Sequence, residues 1–406
     1  MPALLIFKNM DSGKIKEIQK QLDAKKQTEY IRDRAESYFF RYTPAQVFTH
    51  MFSSLFKSLS FLPKRRPVHK TTNIGILIEG GMGDLLIDLN WLCYFHKKYL
   101  ENNDFSITLG FNNVKMLEHF APPFCSAFMD KKSFTKQAFD LEIKIIKCPQ
   151  TEYADLRFLQ ERAPQLLEPV NKYLEIEQKY KTFLDMSALM DAVTNNIPEA
   201  RCKRYRQPDI AGLFDIQERF ILPVSIKNEK ETLKKLGLSQ PYITVAREVG
   251  FTTVLEGTKL WPMEHYRKLL SLIKKTYPEL RIIETGCGRG ERTGKADIDL
   301  TGKTELEELK AVMKNSVLHI DSEGGLVHLR HALNGGPSCV FFGPTSPELY
   351  AYSENINLST EECPIRCDFC HKEWTKTCIL GKDRTCMKSI KPEYAFERIK
   401  AVLDQI

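Results

Sequence analysis

The sequence predicts an α/β protein of two Rossmann-like domains facing a cleft, with an N-terminal helical extension and a cysteine-rich metal finger. Three observations predict it. Short apolar runs of strand length alternate with amphipathic segments of about ten or more residues, the signature of parallel strands joined by crossover helices. A chain of 406 residues is too long for one core, so two domains are expected. Five of the eleven cysteines crowd between Cys363 and Cys386, a local density that suits a metal better than scattered thiols.

Composition narrows the class. Hydrophobic residues make up 42% and charged residues 27%, as in ordinary soluble domains. Apolar runs such as Ile74 to Ile78 and Val340 to Phe342 are strand-sized, far from the ~20 residues that span a bilayer. Met1 to Asp11 has no basic stretch ahead of an apolar core, so no export signal is read and a cytoplasmic location is expected. The net charge of +7 is dispersed, apart from Lys64-Arg65-Arg66 and the run Arg201 to Arg206. No aromatic-basic module of a nucleic-acid fold accompanies it, so nucleic acid is not an expected partner.

Residues 1–70 read as a helical extension ending in a basic linker, with a break at Pro44 and with Pro63 and Pro67 around the basic triplet. The first Rossmann-like domain is placed at 71–235. It opens with the strand Ile74 to Ile78, the turn Glu79-Gly80-Gly81-Met82-Gly83-Asp84 and a helix from Leu85 to about Tyr99. A strand at Phe105 to Leu109, a helix at Asn113 to Phe120 and a strand at Phe139 to Ile146 follow. Tyr153 to Ser225 is helix-rich, without a clear order of elements.

The second domain is placed at 236–390, including the cysteine finger 363–386. Its expected strands are Tyr242 to Ala246, Arg281 to Glu284, Val317 to Ile320 and Ser338 to Phe342. Its helices are Met263 to Tyr277, Glu305 to Asn315 and Gly325 to Leu333. Residues 391–406 form a closing helix.

The chemistry concentrates at Asp321-Ser322-Glu323-Gly324-Gly325-Leu326-Val327-His328. A strand delivers Asp321 at its carboxyl end, where open α/β sheets bind ligands. Gly324 and Gly325 let backbone come close to a ligand, and the helix start behind them seats a phosphate. Asp321 can accept hydrogen bonds from ligand hydroxyls. A second turn, Gly343-Pro344-Thr345-Ser346-Pro347, leaves the strand Ser338 to Phe342, so two loops are expected to converge on one crevice. In the first domain Asp84 lies where a carboxylate serves either as helix cap or as general base.

These pieces resemble glycosyltransferase family 9, the ADP-heptose:lipopolysaccharide heptosyltransferases. The family pattern is Asp-(Ser/Thr)-Gly-x-x-His, a helix, a strand and Phe-Gly-Pro-Thr-x-Pro. Here Asp321, Ser322, Gly324, Gly325, His328 and Phe342 to Pro347 stand for it, with seven positions from Asp321 to His328 where the family has five. Lys259-Leu260-Trp261-Pro262 resembles the family's Lys-x-Trp-Pro segment, and Leu300-Thr301-Gly302-Lys303-Thr304 its turn beside the nucleoside base. Arg247 and Glu248 replace the usual His-Pro-Gly-Ala loop.

The resemblance implies a GT-B fold and an inverting transfer of a sugar, heptose from ADP-heptose, to a lipopolysaccharide-type or protein hydroxyl. It implies Asp84 as general base and Lys259, Asp321, Ser322, Gly324, Gly325, His328, Thr301 and Gly302 as donor-binding residues. No catalytic divalent metal is required, since Lys259 and the helix start can carry the charge of the departing diphosphate. Glu284 and Glu291 are candidates for the ribose hydroxyls. Partners implied are the nucleotide-sugar donor and a glycolipid or protein acceptor, with room for contact at the inner membrane surface and for a homo-oligomer. A non-catalytic assembly protein of this fold and a nucleotide-sugar epimerase are the alternatives.

Cys367, Cys370, Cys378 and Cys386, with Cys363 and His371 as substitutes, follow a spacing suited to a tetrahedral site. Zinc and iron both fit four thiolates, and a closed shell makes the ion structural. A similar finger occurs in the autotransporter heptosyltransferases, the branch of the family that glycosylates proteins and uses iron.

Overall fold

The computed structural model describes residues 71–101, 104–179, 202–247, 257–360, 378 and 384–405. The expected N-terminal extension, the linker after it, and Cys363, Cys367, Cys370 and His371 lie outside the described residues.

Among the described residues two sheets form. In the first, β1 (Thr72–Ile78), β2 (Phe105–Gly110), β3 (Ala127–Met129), β4 (Leu141–Ile146) and β5 (Cys148–Ala154) stand in the order β3-β2-β1-β4-β5. The first four are parallel, whereas β5 folds back antiparallel on β4. The chain reverses at Lys147, which takes a left-handed φ of 64°. In the second, β6 (Tyr242–Val245), β7 (Arg281–Glu284), β8 (Ile298–Asp299), β9 (His319–Ser322), β10 (Ser338–Phe341) and β11 (Ile356–Leu358) stand in the order β11-β10-β9-β6-β7-β8. All of its pairings are parallel. This is the α/β, two-domain, GT-B-like arrangement that the alternation of strands and helices implies.

The described helices of the first half are α1 (Met82–Tyr99), α2 (Val114–Phe120), α3 (Lys131–Phe134), α4 (Leu156–Arg162) and α5 (Leu167–Lys179). Those of the second are α6 (Glu229–Lys235), α7 (Met263–Thr276), α8 (Leu306–Asn315), α9 (Gly325–Ala332), α10 (Pro347–Tyr350), α11 (Thr385–Ser389) and α12 (Pro392–Leu403). Between the halves runs a 3₁₀ segment, Arg204–Asp209.

Helix α1 explains how the halves join. Leu85, Leu86, Ile87, Leu89, Trp91, Leu92 and Phe95 are all buried, and a helix that is apolar on every side must be covered on every side. The first sheet covers one face. Leu329 and Leu333, from α9 and the residue after it, join the same apolar cluster from the other half. Each such side chain contributes about 1.5–3 kcal/mol by leaving water, so the two halves share a core instead of merely touching.

The closing helix α12, expected as a separate unit, packs Ala395, Phe396, Ile399 and Leu403 into the second core beside Leu269 and Ile273 of α7. The short strands β3, β8 and β11 carry little alternation of their own and are held by pairing with longer neighbours. No helix among the described residues is long and apolar enough to cross a membrane.

Candidate active site

Two clusters meet where α1 and α9 begin. The first is built on the turn between β1 and α1. Gly80 takes φ 132°, open to glycine and strained for other residues. Four residues later, Asp84 turns back and accepts the Gly81 N–H at Oδ2 (2.9 Å). Its other oxygen, Oδ1, accepts from Arg204 Nη2 at 2.6 Å.

Arg204 is sealed, with 4% of its side chain exposed, whereas Asp84 keeps 35% open. The carboxyl is therefore ringed by protein on one side and wet on the other. Enclosure pushes Asp84 upward, but the guanidinium beside it and the Gly81 N–H outweigh this and hold it below the ordinary carboxylate range. One turn on, Asp88 is fully buried, and neither of its oxygens has a hydrogen-bond partner. Burial pushes it well above the ordinary range, more than Arg204 pulls it down.

The second cluster is built on β9, β10 and the loop into α9. Register places Val340 opposite Asp321 and Phe341 opposite Ser322, so the two glycine loops leave neighbouring strands, as the sequence implies. Lys259 is held by its own segment. Trp261 is fully buried, stacks on Phe341 at 3.9 Å and donates Nε1–H to the Ile390 carbonyl (2.9 Å). That anchor directs Lys259 to an ion pair with Glu323, both side chains being nearly closed (13% and 7% exposed). Burial would raise Glu323, but Lys259 and then His328 overcome it and bring it down to about 2. His328 Nε2 lies 3.8 Å from Glu323 Oε1, and Nδ1 lies 2.7 Å from the Tyr352 hydroxyl.

The clusters touch. A Cβ added to Gly325 would lie 3.4 Å from Met82 Cε and 3.6 Å from Gly83 N. A Cβ on Gly83 would overlap the His328 ring at 2.5 Å. Gly83 is thus needed for the two halves to close on each other, while a Cβ at 325 would sit at ordinary contact distance. Lys203, next to Arg204, adds a tie across them by donating to the Pro347 and Ala351 carbonyls (3.2 and 3.3 Å).

Several expected ligand residues are closed. Asp321 is 1% exposed. Its Oδ1 accepts the Ser322 N–H at 2.7 Å, and Oδ2 lies 3.5 Å from His319 Nε2, whose own value burial lowers to about 3. These contacts tie the carboxylate to the loop that presents it. Ser322 is likewise buried, its Oγ 3.4 Å from Trp261 N.

Thr301 is 5% exposed and bonds Asp299 through N–H (2.9 Å) and hydroxyl. Gly302, at φ 66°, donates N–H to the Gly286 carbonyl at 2.8 Å. This joins its turn to the Gly286-Cys287-Gly288 loop. Glu284, a candidate for the ribose hydroxyls, is 4% exposed and accepts Thr293 N–H and hydroxyl (2.9 and 2.6 Å). Glu291 pairs with Arg267 at 2.8 Å.

Sequence reasoning missed Arg204 and Tyr352. The basic run Arg201 to Arg206 was a signal for the first, although nothing in it singled out one residue. Of the proposed metal ligands, Cys378 is half-buried and Cys386 buried, and Cys386 Sγ would lie 3.2 Å from a Cβ on Gly343. Among the described residues no group of three or more His, Cys, Asp or Glu is arranged to hold a metal. A pocket of about 530 Å³ lies between Glu218, His331, Gly336 and Glu354, before β10 and β11 and so at the sheet edge opposite the clusters.

The fold and the paired clusters define a two-domain, GT-B-like protein. Residues 214–381 match the model of glycosyltransferase family 9 (heptosyltransferase), so the resemblance read from the sequence holds over that stretch. Lipopolysaccharide heptosyltransferase 1 of Campylobacter coli is 29% identical over 246 residues, 57% of this chain and 64% of that protein. The chain thus spans less than two thirds of that relative's length.

The fold resembles the E. coli ADP-heptose lipopolysaccharide heptosyltransferase II structure, with a TM-score of 0.53 and 14% identity over 82% of this chain and 99% of that one. It also resembles TibC from enterotoxigenic E. coli H10407, a dodecameric, iron-containing glycosyltransferase, with a TM-score of 0.56 and 14% identity over 84% and 78% of the two chains.

Proposed function

We propose that this protein is an inverting glycosyltransferase that moves a sugar, heptose from ADP-heptose, onto a lipopolysaccharide-type or protein hydroxyl. The observation that carries this reading is the meeting of the Gly81-Met82-Gly83-Asp84 turn with the Gly324-Gly325 helix start. It sets a half-open carboxylate beside a seat for phosphate.

In the proposed step Asp84 takes the proton of the acceptor hydroxyl as its oxygen attacks the anomeric carbon. The bond from that carbon to the diphosphate oxygen breaks, and the nucleoside diphosphate leaves with the electron pair. Lys259 and the N–H groups at the start of α9 meet the charge that grows there. Glu323 holds the Lys259 ammonium with His328 on its other oxygen, Asp321 and Ser322 shape the loop, and the Thr301-Gly302 turn borders the nucleoside.

Cys367, Cys370, Cys378 and Cys386 are proposed to hold a structural zinc or iron. The burial of Cys386 beside Gly343 supports a staple next to the donor loop. Metal analysis of the purified chain against Cys386→Ser tests it; equal metal content in both removes Cys386 from the site.

The function is tested by measuring nucleoside diphosphate release from ADP-heptose with a lipopolysaccharide acceptor. Asp84→Asn should stop release while ADP still binds. Turnover that survives the substitution removes Asp84 as base.

A further inference from the structure

The reading of Asp84 as base leaves a physical question. A carboxyl enclosed by protein drifts toward its neutral form, and a neutral acid cannot accept a proton. We propose that Arg204 is the positioning residue that keeps Asp84 ionised and fixes which oxygen faces the cleft, with Asp88 as a buried neighbour. The inference rests on Asp84 being the base.

Three observations carry it. Arg204 spends its Nη2 on Asp84 Oδ1 at 2.6 Å, and the Gly81 N–H holds Oδ2, so both oxygens have fixed partners while 35% of the side chain stays open. Arg204 itself is 4% exposed, and a buried guanidinium keeps its place only with an anion to answer it. Asp88 leaves both oxygens unpartnered in a fully buried setting, and Arg204 Nη1 is also unpartnered. The guanidinium has therefore been committed to one of two nearby carboxyls.

Several titratable groups surround the pair, and Cys148, Cys202 and Tyr352 all feel the Arg204 charge. Lys147, from the turn after β4, adds positive potential at Asp84, and Asp88 stands one turn below on α1. The Tyr350 hydroxyl, at the end of α10, faces Arg204. His328, from α9, packs on Gly83 beside it. Arg204 is the one charged hydrogen-bond donor found on the Asp84 carboxylate among the described residues.

Asp84 is held low in the folded protein, so the pair's stabilisation is present above the ordinary carboxylate range and fades as pH falls through the depressed value. Removing Arg204 reverses this: Asp84 rises, and its cost to stability is largest at high pH and shrinks as it takes up a proton.

The test compares thermal unfolding of the full chain at pH 8 and pH 5 for the wild type, Arg204→Gln, Arg204→Lys, Asp88→Asn and the double variant Arg204→Gln/Asp84→Asn. Expected is a fall in Tm for Arg204→Gln at least twice as large at pH 8 as at pH 5. Asp84→Asn should relieve most of it, and Arg204→Lys should restore part.

In turnover, the acid limb of the pH profile should move up by a unit or more in Arg204→Gln and stay in place in Asp88→Asn. An equal fall at both pH values with no relief from Asp84→Asn overturns the proposal, because Arg204 is then only packing. An unmoved acid limb with an inactive Asp84→Asn overturns the positioning role and leaves the base reading intact. Turnover persisting in Asp84→Asn fails the base reading itself and takes the inference with it.

Discussion

The two halves solve one problem in opposite ways. Each sends a strand into a glycine turn, and each turn carries an aspartate before or at the start of a helix, Asp84 after β1 and Asp321 at the end of β9. Asp84 stays 35% open on its side chain and is answered by a cation from another segment. Asp321 is closed and bonds within its own loop. The place that Asp84 occupies in the first half is taken in the second by Glu323, nearly buried and paired with Lys259. Both carboxylates bond within the turn that presents them, so the difference teaches that availability is set by how much of the group packing leaves open: 35% of the Asp84 side chain against 1% of Asp321.

The comparison breaks most visibly at Asp84. Asp84→Asn should lower turnover by about 10²–10⁴-fold, the range of a lost general base, with the Kd for ADP nearly unchanged. Lys259→Met should lower turnover by about 10²–10³-fold, as for loss of one charge-stabilising group. It should also lower Tm at neutral pH, because Glu323 is left charged and buried. Without Lys259, burial pushes Glu323 upward, so this Tm loss should be largest at high pH and shrink as pH falls and the freed carboxyl protonates.

Gly83→Ala should cost about 1–3 kcal/mol in urea unfolding through overpacking against His328. That ring is bonded to Tyr352, so it gives way poorly. Asp321→Asn should have the smallest functional effect: ADP affinity within about threefold, with a loss of about 1–3 kcal/mol for a buried hydrogen-bonding group. A collapse of ADP affinity in Asp321→Asn as steep as in Lys259→Met would place Asp321 on the donor and erase the contrast.

Much of this was legible in the sequence. The strand Ile74 to Ile78 and the helix after it were readable from an unbroken apolar run followed by glycines, because a buried parallel strand needs no alternation. The glycine loops after β9 and β10 were readable as neighbours. Less legible were β3, β5 and β8, whose residues carry no period of their own. They are strands because β2, β4 and β7 offer them hydrogen bonds. Arg204 could not be picked from the run Arg201 to Arg206, since nothing local tells which of its four basic residues is aimed at Asp84.

The sequence alone determined the two sheets, the glycine turns at their strand ends and the residue types available for chemistry there. Those follow from local rules: periodicity, turn propensity and the reach of a short loop. Only the tertiary structure decided which carboxylates are open, because exposure and pairing depend on chain segments far apart in sequence. Asp84 and Arg204 are 120 residues apart, and Lys259 and Glu323 meet only once Trp261 has packed against Phe341. Charge chemistry at the cleft is thus a property of packing, while the positions it can occupy are a property of sequence.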